Sequence, residues 1–326
     1  LTPLIFLFAF SSIFDMLSGM RDASNFVSTI ISTRALPARV ALGVAAVAEF
    51  CGPFIFGVAV AYTFGRDLID PQTVTISALM AAILSAIVWN MITLYMGFPA
   101  SSSHALLGGL IGALLVSTGP SSLRLAGMYK IMLALFLSPM LGLLVGFLLT
   151  KLIYFLSRSL SPRVNDFFRR IQIVTSITLA MAYGANDAQK TMGVLSLALV
   201  TTGYLNEFHV PIWIVAFSAG SIALGIAVGG WRLIRTLGGR FYRIRPVHGF
   251  SSQASAATVI LTSAVLGGPV SSSQVVTSAI LGAGSADRIN QVRWELATHI
   301  LTAWLLTIPI CGLIAAGLEM LIRMIL

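Results

Sequence analysis

Charge is what this sequence has least of. Asp, Glu, Lys and Arg make up 10% of its 326 residues, against roughly a quarter in an ordinary soluble domain. Such a chain is neither a disordered tail nor a water-soluble globular domain. Cysteine is scarcer still, with Cys51 and Cys311 the two present, both inside apolar runs. They support no disulfide framework and no Cys/His metal spacing, and they read as small core residues. The short alternating strands that a membrane barrel needs are missing as well. No basic segment precedes the apolar residues 1–14, so no cleavable signal peptide is expected there.

What the chain has in place of charge is hydrocarbon: 57% of it is hydrophobic and its mean hydropathy is +0.93. Apolar runs near 2–19, 40–62, 74–95, 131–156, 172–200, 212–231, 250–267 and 294–325 approach or exceed the ~20 residues that cross a ~30 Å bilayer core. Two shorter stretches, 97–118 and 268–284, are richer in Gly and Ser. The expected class is an all-α polytopic protein of the cell inner (plasma) membrane, partnered by the lipid bilayer. A net charge of +9 would suggest nucleic acid in a soluble protein. Here Lys and Arg cluster in short loops, where they set orientation by the positive-inside rule, and no nucleic-acid partner is expected.

The polar stretches come in pairs. "GMRDASN" (19–25) resembles "GANDAQK" (184–190), and "GFPASSSHALLGGLIGA" (97–113) resembles "GGPVSSSQVVTSAILGA" (267–283). Asp22 to Pro99 spans 77 residues and Asp187 to Pro269 spans 82. Two motifs in one order at nearly one gap indicate an internal duplication. Corresponding loops carry opposite charge. "STRALPAR" holds Arg34 and Arg39 where "TTGYLNEFHVP" holds only Glu207, and "GRDLIDP" is acidic where "RLIRTLGGRFYRIR" carries Arg232, Arg235, Arg240, Arg243 and Arg245. Inverted repeats are expected, 1–156 and 173–326, joined by a basic cytoplasmic linker at 157–172. Arg124 and Lys130 fit this scheme poorly, since parity places them outside.

Two constellations carry chemistry. Ser101, Ser102 and Ser103, like Ser271, Ser272 and Ser273, follow a Pro and open a new helical stretch. Hydroxyls beside the free N–H groups of a helix start suit a tetrahedral oxyanion. Asp22 and Asp187 sit at equivalent places inside apolar spans, where carboxylates are costly and usually functional. Together they suit Na+ or an exchanging proton, with Asn25, Asn186 and Gln189 offering carbonyl oxygens.

These motifs, in this order over essentially the whole chain, resemble the inorganic phosphate transporter family. The resemblance implies a cation-coupled phosphate symporter, often a homodimer. It implies inverted repeats with broken helices, and two re-entrant helical hairpins whose tips meet at the substrate. It maps family positions onto Asp22, Asn25, Asn186, Asp187, Ser101–Ser103 and Ser271–Ser273, and Glu49 matches a further acidic position. One departure is Arg21, where the family's first signature has Asn. Its guanidinium is expected either to neutralise Asp22, to replace a bound Na+, or to contact phosphate.

The expected function is therefore phosphate import by proton or sodium symport through alternating access, with no other cofactor and no enzymatic activity. Phosphate is assigned to the two Ser runs with Arg21 and Gln189. The coupling ion is assigned to Asp22, Asn25, Asn186, Asp187 and Glu49, four of which (Asp22, Asn25, Asn186, Asp187) would form any Na+ site. The alternatives are sulfate or metal-phosphate transport on the same fold, an anion channel, or an intramembrane hydrolase. The hydrolase needs one nucleophile and one base, whereas this chain duplicates both its Ser run and its Asp.

Overall fold

The computed structural model describes residues 2–33, 35–96, 100–159, 164–229, 245–289, 292 and 294–325. Among these the regular elements are helices, and the one extended contact is an antiparallel bridge between Ile69 and Leu123. In chain order they are α1 (Thr2–Ser32), α2 (Ala38–Phe56), the short α3 (Ala59–Tyr62) running into a wide π-helical turn (Thr63–Asp67), α4 (Ile76–Met96), α5 (Ser102–Ser117) and α6 (Leu125–Ser157). Then come α7 (Val164–Tyr183), a second π-helical turn (Gly184–Ala188), α8 (Gln189–Thr201), α9 (Ile212–Val228), α10 (Pro246–Val265), α11 (Ser272–Arg288) and α12 (Trp294–Ile325). Five described helices carry stretches long and apolar enough to cross a membrane, while Ser102–Ser117 and Ile212–Val228 are shorter apolar helices.

Local chemistry sets the helix ends, and it does so twice over. Pro37 and Pro211 precede α2 and α9, where a fixed φ and a missing N–H cost nothing. Gly57 and Gly229 end the same two helices at φ of 83° and 65°, a region that glycine enters without strain. Pro139 and Pro309 interrupt the long helices α6 and α12.

The packing repeats in the same way. A Cβ on Gly19 of α1 would fall on the Ile222 carbonyl of α9, and one on Gly225 of α9 on that of Met16. Likewise a Cβ on Gly184 would fall on the Glu49 carbonyl of α2, and one on Gly52 of α2 on that of Met181 in α7. Helix α1 thus lies backbone to backbone on α9, and α7 on α2. Small residues permit this approach where lipid supplies no hydrophobic drive between helices. Further out, α5 packs chiefly on α12, and α11 on α6. Each half of the chain therefore completes the other.

The structure revises several expectations. Residues 2–32 form one unbroken α-helix, so the "GMRDASN" motif lies inside continuous helix, and only "GANDA" opens into a π-turn. The 40–62 run is broken at Gly57–Val58. Within the 157–172 linker, α7 has already begun at Val164. Arg124 and Lys130 have acidic partners on the α3–α4 connection, Asp70 at 3.4 Å and Asp67 at 3.5 Å. That face therefore carries less net charge than its basic loop alone suggests. Pro99, Arg34, Arg232, Arg235, Arg240 and Arg243 lie outside the described residues.

Gln189 holds the α2–α3 break. Its Nε2 donates to the carbonyls of Gly57 (2.6 Å) and Ala185 (2.5 Å). Its Oε1 accepts from the N–H groups of Val60 (2.8 Å) and Ala61 (3.2 Å). Every hydrogen-bonding position of the amide is committed, and we infer a structural role for it in place of the phosphate contact expected from the sequence. Gln189→Leu strands buried backbone groups, at about 1–3 kcal/mol each. The expected result is a marked fall in thermal midpoint in detergent with the phosphate half-saturation of the surviving protein unchanged. A variant that keeps its midpoint but loses phosphate affinity would restore the ligand role.

Candidate functional site

The two Ser runs meet. Ser101 is the N-cap of α5, its Oγ accepting from the His104 N–H at 3.3 Å and sharing a 2.8 Å hydrogen bond with the His104 ring. Ser271 occupies the same place before α11. Ser103 donates to the Val270 carbonyl at 3.0 Å, and the Gln274 amide lies 3.4 Å from His104 Nδ1. The first turn of α5 is thereby fastened to the first turn of α11. Ser271 and Ser273 face each other at 3.4 Å. Ser102 and Ser273 are the less buried members of their runs. Two helix starts, each with its partial positive charge, thus lie against each other.

The second signature motif knots these starts together. Asn186 donates from Nδ2 to the Val270 carbonyl and to Ser272 Oγ, both at 2.9 Å, and its Oδ1 accepts from the Val270 N–H at 3.1 Å. Lys190, 2% exposed, donates to Ser103 Oγ at 2.5 Å and to the Val270 carbonyl at 3.1 Å, and it forms an ion pair with Asp187 Oδ1. One ammonium thus touches the first Ser run, the approach to the second, and the acidic signature residue. The π-turn makes this possible. Gly184 lets the backbone ride against Glu49, and the wider turn swings Asn186, Asp187 and Lys190 toward the helix starts.

The other expected residues surround this knot. Arg21 is buried and reaches away from its neighbour Asp22, to the carbonyls of Ala100 (3.0 Å) and Asn90 (3.2 Å) and to Thr93 Oγ1 (3.0 Å). Among the described residues it makes no ion pair with Asp22. The guanidinium ties α4 to the residue preceding Ser101, and its charge still acts on Asp22. Asn25 lies beside the Tyr183 hydroxyl. Glu49 is 1% exposed, and among the described residues both its carboxylate oxygens lack a hydrogen-bond partner, as does Asp187 Oδ2. Asp15, Asp22, Glu49, Asp187 and Lys190 lie within mutual electrostatic reach.

The site is therefore short of positive charge. Among the described residues Asp15, Asp22, Glu49 and Asp187 have Arg21 and Lys190 as their buried cations, a formal balance of −2. Isolated carboxylates in such surroundings cost several kcal/mol each unless a cation or proton joins them. Two helix starts, hydroxyls and an ammonium on one side, with under-compensated carboxylates on the other, can hold an anion together with cations. A second basic place, a cleft of about 830 Å³ lined in part by Arg66, Asp70, Arg124 and Glu207, has its cations matched by acids and offers no comparable set of donors. No group of three or more His, Cys, Asp or Glu suited to a metal ion occurs among the described residues.

Two residues of this neighbourhood escaped the sequence reading. Lys190 carries no assignment from its motif alone. Its spacing of three from Asp187 was the usable signal, since i and i+3 share a helix face. Asp15 was passed over, although it lies seven residues before Asp22 on the same face of α1.

The chain is similar to known proteins over nearly its whole length. Residues 18–315 match the phosphate transporter family. A "probable low-affinity inorganic phosphate transporter" of Rhizobium meliloti (strain 1021) is 41% identical over 315 residues, covering 96% of this chain and 94% of that one. One of the same description from Bacillus subtilis (strain 168) is 37% identical over 316 residues, covering 96% and 95%. A solved structure titled "The sodium-dependent phosphate transporter" shares the fold at a TM-score of 0.92 with 23% identity, over 100% of both chains.

Proposed function

We propose, from the premise that this chain belongs to the phosphate transporter family, that it imports inorganic phosphate by cation symport through alternating access. The family is one of transporters and the chain is a multi-pass membrane protein, which sets the hydrolase aside. The observation that carries the reading is Lys190, held between two Ser-bearing helix starts while paired with Asp187. Phosphate entering that place competes for the ammonium and for the N–H groups of the helix starts. Once Lys190 turns to phosphate, Asp187 loses its partner and takes up a coupling cation with Asp22 and Glu49. Substrate and cation then enter together, because either alone leaves unpaired charge in a dry site. That pairing of charges disfavours a passive anion channel, which has no use for buried carboxylates.

The reciprocal glycine contacts and the exchanged pairing of α5 with α12 and α11 with α6 support inverted repeats rocking about this point, with α5 and α11 as re-entrant arms. Cysteine labelling tests the topology. A cysteine at Asp67 should react with an impermeant thiol reagent only from outside the cell, and one at Arg169 only from the cytoplasm. Labelling of both from one side defeats the inversion.

Uptake of labelled phosphate into proteoliposomes, with sodium and proton gradients imposed separately, tests the function itself. The expected result is accumulation above equilibrium under at least one gradient. Equilibration with no response to either gradient would make the protein a channel or uniporter.

A further inference from the structure

Asp15 lies near the middle of the apolar stretch Thr2–Phe26 and is 0% exposed. A carboxylate at that depth is functional by default, and its partners should be identifiable. Among the described residues no cation lies within ion-pair distance of it. Both carboxylate oxygens accept from the single hydroxyl of Thr191 at 2.9 Å. Ser218 of α9, fully buried, turns its hydroxyl to the same carboxylate. Ser11 and Ser18 flank Asp15 on the same face of α1, at i−4 and i+3. Among the described residues their buried hydroxyls have no hydrogen-bond partner. Serines in helices ordinarily bond back to a carbonyl one turn earlier, so two unpartnered hydroxyls on the face of α1 that carries a buried carboxylate require another explanation.

We propose that Asp15, Thr191 and Ser218, completed by the hydroxyls of Ser11 and Ser18, form a binding site for a monovalent cation of sodium's class, separate from Asp22, Glu49 and Asp187. The donors are all oxygen, which suits a hard ion, and one carboxylate among neutral hydroxyls matches one positive charge. The cage is held in place. Ser12 and Ser221 hydrogen bond at 3.0 Å, and Gly19 and Gly225 bring α1 and α9 into backbone contact around it. Thr191 also follows Lys190 directly, so a cation that fixes Thr191 sets the start of α8 and the reach of the Lys190 ammonium. Cation binding here would thereby prepare the phosphate site, an inference that rests on the function proposed above.

The test is equilibrium binding of labelled sodium to purified protein without phosphate, choline replacing sodium. Asp187→Asn weakens the central carboxylate site and serves as the background. Saturable sodium binding is expected to persist there, and to vanish when Asp15→Asn is added. Ser218→Ala in the otherwise unaltered chain should lower sodium affinity by roughly three- to tenfold, as for one lost polar contact, and it keeps the proposal testable if the carboxylate variants fail to fold. Sodium binding indifferent to Asp15 and Ser218, or absent from the parent, overturns the site. Phosphate binding measured on the same preparations separates the two readings. A parent that binds phosphate but not sodium rejects the cation cage alone, whereas one that binds no phosphate rejects the proposed function.

Discussion

Lys190→Met is expected to abolish coupled phosphate uptake. The ammonium contacts Ser103, the Val270 carbonyl and Asp187. If phosphate takes over this cation, its loss removes a charge-assisted hydrogen bond of about 1.5–3 kcal/mol, or roughly ten- to 150-fold in affinity. It also leaves Asp187 buried without its partner, which costs about 3–5 kcal/mol when one half of a buried pair is deleted. The single variant therefore loses stability as well as function. Adding Asp187→Asn separates the two effects, because the neutral pair no longer strands a charge. The double variant should regain thermal stability and still fail to bind phosphate in an equilibrium assay. A double variant that binds phosphate like the parent would reduce Lys190 to a structural counter-ion.

Arg21→Asn is expected to have the second-largest effect, chiefly through the fold of the site. The guanidinium satisfies two buried carbonyls and Thr93. A shorter Asn cannot span them, and each unmet buried acceptor costs about 1–3 kcal/mol. The Ala100 carbonyl immediately precedes Ser101, so the first Ser run loses its anchor to α4. Both thermal midpoint and phosphate affinity should fall. Arg21→Lys, which keeps the charge but not the planar fork, should fall between parent and Asn. Sodium should not rescue Arg21→Asn. Sodium rescue with an unchanged midpoint would reinstate the guanidinium as a stand-in for a cation beside Asp22.

The membrane class and the residues of the candidate site stand out in the sequence for one physical reason. Polar groups are so expensive in hydrocarbon that "PASSSH", "PVSSSQ" and "GANDAQK" stand out against their flanks. Partner choice was not readable. Gln189 looks like a ligand in a list of polar residues, but the helix break at Gly57 consumes its amide. That break depends on how α2 packs against α7. Arg21 adjoins Asp22 in the chain, yet its long side chain carries the guanidinium to α4. The two signature motifs look alike, but "GMRDASN" stays α-helical and "GANDA" becomes a π-turn. Gly184 against Glu49 and Gly19 against Ile222 are equivalent contacts with unequal partners, and nothing local in either motif distinguishes them. Asp15 went unnoticed because no motif surrounds it, and its hydroxyl partners come from α1, α8 and α9, which only the fold brings together.

The most direct measurement is an experimental structure determined with phosphate bound. The account predicts a tetrahedral anion within hydrogen-bond reach, about 3 Å, of both Ser101–Ser103 and Ser271–Ser273. Lys190 Nζ should have turned from Asp187 Oδ1 to a phosphate oxygen. Phosphate lodged in the cleft of Arg66 and Arg124, with Lys190 still paired to Asp187 and Ser103 still bonded to Val270, would contradict it.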